Sequence, residues 1–157
     1  MRKRAHVITV SDGVAAGTRE DKSGPALRAM LESAGFAVSG PQVVADDQEQ
    51  IRSAITTAEA DFVITTGGTG LGPRDVTPQA TSTLIDYEVP GLGELMRRAG
   101  SASTPMAALS RGVAGVRRNT LIINVPGSKN GATESLEAVL PVLEHAMQTL
   151  QGDTRHA

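Results

Sequence analysis

Cysteine is absent from the 157 residues, which excludes disulfides, thiolate metal sites and cysteine nucleophiles. Aromatic residues make up only 2% of the chain. The core must therefore be aliphatic, and the stacking platforms that hold single-stranded nucleic acid are missing. A formal net charge of −2 without a basic block argues against duplex binding. No apolar run approaches the length of a bilayer span. The opening segment MRKRAHVITV is basic and then apolar, but it breaks at Ser11-Asp12 with no small-residue cleavage pattern after it. It reads as a first strand rather than a signal peptide. These absences predict a soluble, cytoplasmic protein with neither a nucleic-acid nor a membrane partner.

What remains is ordinary for a globular chain, with 39% apolar and 20% charged residues. Residues 1–157 are expected to form one domain around one continuous core. His6–Val10 and Phe62–Thr66 are β-branched runs of strand length, and Phe36–Val44 is a third strand candidate. Between them, Leu27, Met30, Leu31 and Ala34 repeat at helical spacing after a capping Ser23 and before Gly35. Ile51, Ala54, Ile55 and Ala58 do the same after Asp46 or Asp47. Thr77-Pro78 has the form of an N-cap followed by proline, predicting a helix over 78–87. A further helix is expected over 92–99, then a hairpin of strands 110–116 and 120–125 around Arg117-Arg118-Asn119. Leu136, Val139, Leu140, Leu143, Met147 and Leu150 line a terminal helix that Pro141 should kink or divide. The tail over 151–157 should fray. Alternating strands and helices predict an α/β fold, a three-layer α/β/α sandwich with a mostly parallel central sheet.

Ligands of open α/β sheets sit beyond the carboxyl ends of the strands, and the polar clusters fall there. Ser11-Asp12 follows the first strand, Asp46-Asp47 the second, TTGGTGLGPRDVTP the third and Pro126-Gly127-Ser128-Lys129 the last. Gly67, Gly68, Gly70 and Gly72 permit backbone angles closed to other residues, and successive N–H groups there can form an anion cradle. A tight structural turn fits the same composition, and neither G-x-x-x-x-G-K-[ST] nor G-x-G-x-x-G is matched. Asp75 and Asp46 are each either helix-end carboxylates or oxygen ligands for Mg²⁺ held together with substrate phosphates. Asp12 is a third carboxylate in a turn sequence. Lys129, one of three lysines, is either a solvated loop cation or a point charge for phosphate. His6, His145 and His156 have no metal-ligand spacing, and no Ser-His-Asp arrangement emerges. An enzyme of this composition takes its nucleophile from the substrate, which points to phosphoryl or nucleotidyl transfer.

The combination TTGGTG…RDVTP resembles the molybdenum cofactor biosynthesis proteins of the MogA/MoaB type, the molybdopterin adenylyltransferase family. The similarity extends to VSD at 10–12, DKSGP at 21–25, ADDQ at 45–48, PGLGELMR at 90–97, ALSR at 108–111 and NVPGS at 124–128. Gln79 stands where the family often carries an acidic residue. The resemblance implies a molybdopterin-binding-like fold, assembly as a homotrimer, and adenylylation of molybdopterin with Mg²⁺ and ATP, releasing pyrophosphate. By motif, Asp46 and Asp75 are the implied catalytic and metal-organising carboxylates. Ser11, Asp12, Thr66, Gly67, Gly68, Thr69, Gly70 and Arg74 fall in the implied nucleotide and substrate loops. Ser110, Arg111, Pro126, Gly127, Ser128 and Lys129 are implied to hold the pterin's anionic end. A molybdenum insertase is the implied acceptor of the product. The competing readings are a non-catalytic molybdopterin carrier of the MoaB-like branch and a domain of the larger insertase or competence-related proteins; chain length weighs against the latter.

Overall fold

Successive residues of the central strands are buried on opposite sides, because side chains along a strand alternate and both faces are covered. Val7, Phe62, Ile64, Leu121 and Ile123 belong to one core, whereas Ile8, Val63 and Ile122 belong to the other. The computed structural model describes residues 2–152. His156 and all of the expected frayed tail beyond Gly152 lie outside the described residues.

In chain order the elements are β1 (Arg4–Val10), α1 (Asp12–Ala15), α2 (Ser23–Ser33), β2 (Ala37–Val44), α3 (Gln48–Thr57), β3 (Phe62–Thr66) and α4 (Thr77–Ser82). Then follow β4 (Tyr87–Glu88), α5 (Pro90–Ser101), a 3-10 segment (Pro105–Leu109), β5 (Ala114–Arg117), β6 (Thr120–Val125) and α6 (Lys129–Leu150). Among the described residues the sheet has six strands in the order β2-β1-β3-β6-β5-β4. β2, β1, β3 and β6 pair in parallel, and the β6-β5 and β5-β4 pairs are antiparallel. Leu27 and Leu31 of α2, Met96 of α5 and Leu136, Val139, Leu143 and Met147 of α6 cover one face. Ile51, Ala54 and Ile55 of α3 and Ala80 of α4 cover the other. The three layers are those expected. Phe36 and Phe62, the chain's two phenylalanines, meet with ring centroids 6.2 Å apart inside the larger core.

Several local expectations give way to tertiary bonding. Ser23 is the first helical residue of α2, and Asp21 does the capping, its carboxylate accepting from Gly24 N at 3.0 Å. Thr77 does not cap α4, since its N–H and hydroxyl donate to the carbonyls of Gly68 and Gly67 at 3.1 and 2.9 Å. The helix expected over 78–87 ends at Ser82, because Tyr87 and Glu88 are taken into the sheet beside β5. The strand expected from 110 begins at Ala114, because Arg111 N donates to Thr69 O rather than to the sheet. Pro141 does not divide α6, which is one helix with buried residues on both sides of it.

Asn124 on β6 is 1% exposed and fully engaged. Its amide nitrogen donates to the hydroxyls of Thr65 and Thr81 at 2.9 and 3.0 Å, and its oxygen accepts from Val113 N at 3.2 Å. It therefore locks β3, α4 and the approach to β5 together. Asn124→Leu is expected to destabilise the protein by about 2–3 kcal/mol in urea unfolding, through the stranded Val113 N–H and Thr65 hydroxyl. A loss below a few tenths of a kcal/mol would show the network to be dispensable.

Candidate functional site

The strand order reverses at β1, with β2 on one side and β3 on the other. That is where an open α/β sheet leaves a crevice at its carboxyl edge. A cavity of about 610 Å³ lies there, a size suited to a small-molecule ligand. Ser11 enters it from the loop after β1 and Asp46 from the loop after β2. The loop after β3 contributes Thr66, Gly67, Gly68, Thr69, Gly70 and Asp75, and the loop after β6 contributes Gly127, Ser128 and Lys129.

The glycine loop is shaped by close approach. Gly67 and Gly68 have φ of 107° and 69°. A Cβ on Gly68 would lie 3.1 Å from Asp46 Oδ1, and one on Gly70 or Gly72 would lie 2.9 Å from Asp75 Oδ2. Asp75 Oδ2 accepts from Gly72 N at 2.9 Å. Asp46 Oδ2 accepts from Asp12 N at 2.9 Å, while Asp46 N donates to Asp12 Oδ1 at 3.0 Å. Arg74 closes this corner with a two-pronged pair to Asp12 at 3.0 and 3.1 Å. Ser128 caps α6 by accepting from Gly131 N at 3.1 Å, so the N-terminal end of a 22-residue helix opens toward the cavity beside Lys129. Such an end favours anions.

These contacts set the electrostatics. Burial, with the nearby Asp12 and Asp75 charges adding to it, pushes the Asp46 carboxyl above the ordinary aspartate range, against the opposing bond from Asp12 N. The Arg74 guanidinium and the bond from Asp46 N hold the Asp12 carboxyl below that range. Arg74 is raised in turn by its bond to Asp12. Both members of that pair are solvent-exposed, so its contribution to stability is small.

Not every expected residue reaches the cavity. Asp12 and Arg74 do not line it and are bonded to each other. Pro126 points its carbonyl at the Thr66 hydroxyl, 2.7 Å away. Ser110 faces a separate small cavity. The Arg111 guanidinium is turned onto the glycine loop rather than into the cavity. Conversely, Arg19, Glu20, Asp21 and Lys22 line the cavity, and sequence reasoning gave them no role. The DKSGP motif was the available signal for Asp21 and Lys22. Asp21 holds its place by accepting from Thr9 Oγ1 and Gly24 N at 2.8 and 3.0 Å.

Asp46 and Asp75 both line this cavity, each with one oxygen held by a backbone N–H. Among the described residues no group of three or more His, Cys, Asp or Glu side chains is set to hold a metal ion. A divalent cation here would therefore share its coordination with a ligand's phosphates, the usual manner of Mg²⁺. The fold and the cleft define an α/β domain with a polar cavity of small-molecule size at a switch point. The chain belongs to the family described as "probable molybdopterin binding domain", whose model matches residues 6–145.

The chain is similar to the molybdenum cofactor biosynthesis bifunctional protein of Synechococcus elongatus, 40% identical over 94% of this chain and 47% of that one. It is 36% identical to the molybdopterin adenylyltransferase of Helicobacter pylori, over 94% of this chain and 87% of that one. The crystal structure of the molybdopterin biosynthesis enzyme MoaB from Thermus thermophilus superposes with a TM-score of 0.89 at 51% identity, covering 96% of this chain and 97% of that one. The chain spans about half the length of the first curated relatives it matches.

Proposed function

We propose that this chain is a molybdopterin adenylyltransferase, using ATP and Mg²⁺ to activate molybdopterin for the later stages of molybdenum cofactor biosynthesis. The observation that carries the reading is the convergence of Asp46 and Asp75 on the cavity that also receives the α6 N-terminus and Lys129. Relatives named molybdopterin adenylyltransferase, of which this chain covers 87% and 71%, support it.

In this reaction the terminal phosphate of molybdopterin attacks the α-phosphorus of ATP. A phosphoanhydride bond forms, the bond between the α- and β-phosphates breaks, and pyrophosphate leaves. The nucleophile is already ionised at neutral pH, so no side chain has to remove a proton. Mg²⁺, when bound, neutralises charge on the nucleotide phosphates. Asp46 and Asp75 would hold it through their carboxylate oxygens. The N–H groups of the glycine loop orient the triphosphate, while Ser128, Lys129 and the α6 N-terminus receive the pterin's phosphate. Catalysis is then mostly positioning and charge neutralisation.

Residues 1–157 act in this reading as one domain, supported by the span of the family match. We also propose a homotrimer acting in the cytoplasm, with hand-off of the product to a molybdenum insertase. Relatives named bifunctional that carry as much sequence again beyond the matched part support the hand-off. Among the described residues no helix is long and apolar enough to cross a membrane.

The test is incubation of purified protein with molybdopterin and Mg-ATP, followed by detection of adenylyl-molybdopterin and pyrophosphate. Saturable molybdopterin binding without product would overturn the enzyme reading in favour of a carrier.

A further inference from the structure

Part of the glycine loop is held by a residue outside the cavity. Arg111 donates from its backbone N–H to Thr69 O at 2.8 Å, from Nε to Gly70 O at 2.9 Å and from an Nη to Asp75 O at 2.7 Å. It thus grips both limbs of the loop, entering and leaving, with a rigid planar fork. A second arginine holds the first. Arg97 on α5 donates to Ser110 O and Gly112 O at 3.3 and 3.0 Å, the two carbonyls on either side of Arg111. Space for that guanidinium comes from Gly93, one turn earlier on α5, where a Cβ would lie 2.8 Å from Arg97 Nη2.

We propose that Arg97 and Arg111 are positioning residues acting in series. Arg97 fixes the backbone around Arg111, and Arg111 fixes the loop that presents Asp75 to the cavity. Neither lines the cavity. This arrangement gives the PGLGELMR and ALSR segments one shared role, and it runs from α5, through the 110–112 backbone, to the glycine loop. The proposal rests on the adenylyl-transfer reading only for its kinetic consequence. The loop-holding role stands apart from it.

The experiment is amide hydrogen exchange on the protein without ligands, reading Gly72, Asp75 and Thr77, whose N–H groups are all hydrogen-bonded. Arg111→Lys and Arg97→Lys are each expected to speed exchange there about tenfold, with β1 and β3 amides unchanged. The same variants should lower kcat/KM for adenylylation by about tenfold, and the double variant should be no worse than Arg111→Lys alone. Wild-type protection of the loop in Arg111→Lys, or effects that multiply in the double variant, would overturn the proposal. Should either lysine variant not fold, Gly93→Ala displaces the Arg97 guanidinium without removing it. Faster loop exchange in Gly93→Ala supports the relay, and unchanged exchange overturns the Arg97 step. Faster loop exchange in a protein whose wild type makes no adenylyl-molybdopterin would leave the relay intact and remove the proposed reaction instead.

Discussion

Asp46→Asn is expected to lower adenylyl transfer by roughly 10²-fold or more while leaving the fold intact. Asparagine keeps an oxygen that can accept from Asp12 N, as Asp46 Oδ2 does at 2.9 Å, so the corner where the loops after β1 and β2 meet survives. What is lost is the negative charge that would organise Mg²⁺ and the triphosphate. Stability should hold or rise slightly at neutral pH, since burial and the Asp12 and Asp75 charges disfavour the ionised Asp46 carboxyl. The sign follows from linkage. A carboxyl raised in the folded state favours folding while it is protonated, and that contribution is lost as pH rises through its folded value. Any advantage of the variant should therefore vanish in acid, below about pH 3. Asp12 acts in the opposite sense. Held low by Arg74, it stabilises the fold above the ordinary aspartate range and loses that effect as pH falls through its depressed value. Wild-type activity should show an acid limb above the ordinary aspartate range as Asp46 protonates. Parallel melting curves and turnover assays on both proteins check each arm. Turnover within twofold of wild type in Asp46→Asn, or in Asp75→Asn, would remove the metal-organising role from that residue.

The layers were legible because they depend on pattern. Buried β-branched runs such as His6–Val10 and Phe62–Thr66, and the apolar stripe of Ile51, Ala54 and Ile55, can only be satisfied by a sheet covered on both faces. The placement of the polar loops was legible for a related reason, since each followed such a run. Less visible were features decided by a single long-range bond. Nothing local announces that the Thr77 hydroxyl will serve Gly67 O, or that the Arg111 N–H will serve Thr69 O and postpone β5. Local propensity favoured a longer α4, but pairing of Tyr87 and Glu88 with β5 outweighed it. Arg111 is the instructive case for the site. Its residue type fits an anion contact, and only the folded chain shows its donors directed to Gly70 O and Asp75 O. Lys22 and Asp21 illustrate the converse, because the DKSGP motif marks the segment but its position before a helix does not show that it faces a cavity formed by other loops.

The largest effect on folding should come from Gly67→Ala. At φ of 107° an L side chain is strained wherever it stands, by about 1–2 kcal/mol. Here space is lacking as well, since a Cβ would lie well under 3.0 Å from the Val10 carbonyl oxygen. Relief by backbone movement is blocked on several sides. Gly67 N donates to Val125 O at 3.1 Å, and Gly67 O accepts from the Thr77 hydroxyl at 2.9 Å. Gly127 is packed so closely that its own Cβ would lie 3.2 Å from Gly67 Cα. Strain and overpacking together should cost about 3 kcal/mol or more, near 10 °C in Tm for a chain of this size. Two companion variants separate the causes. Gly35→Ala has a comparable φ of 96° with nothing within 4 Å of the added Cβ, so it should show the backbone penalty alone, about 1 kcal/mol. Gly70→Ala crowds only the Asp75 carboxylate, at 2.9 Å, and should reduce adenylyl transfer with little change in Tm. If Gly67→Ala melted within a degree or two of Gly35→Ala, close packing of the β1, β3 and β6 loop ends would not be what holds the cradle in shape. If instead the three variants separate as stated, the glycines of the loop have distinct roles. Gly67 secures the strand ends against one another, and Gly70 keeps room for the aspartate.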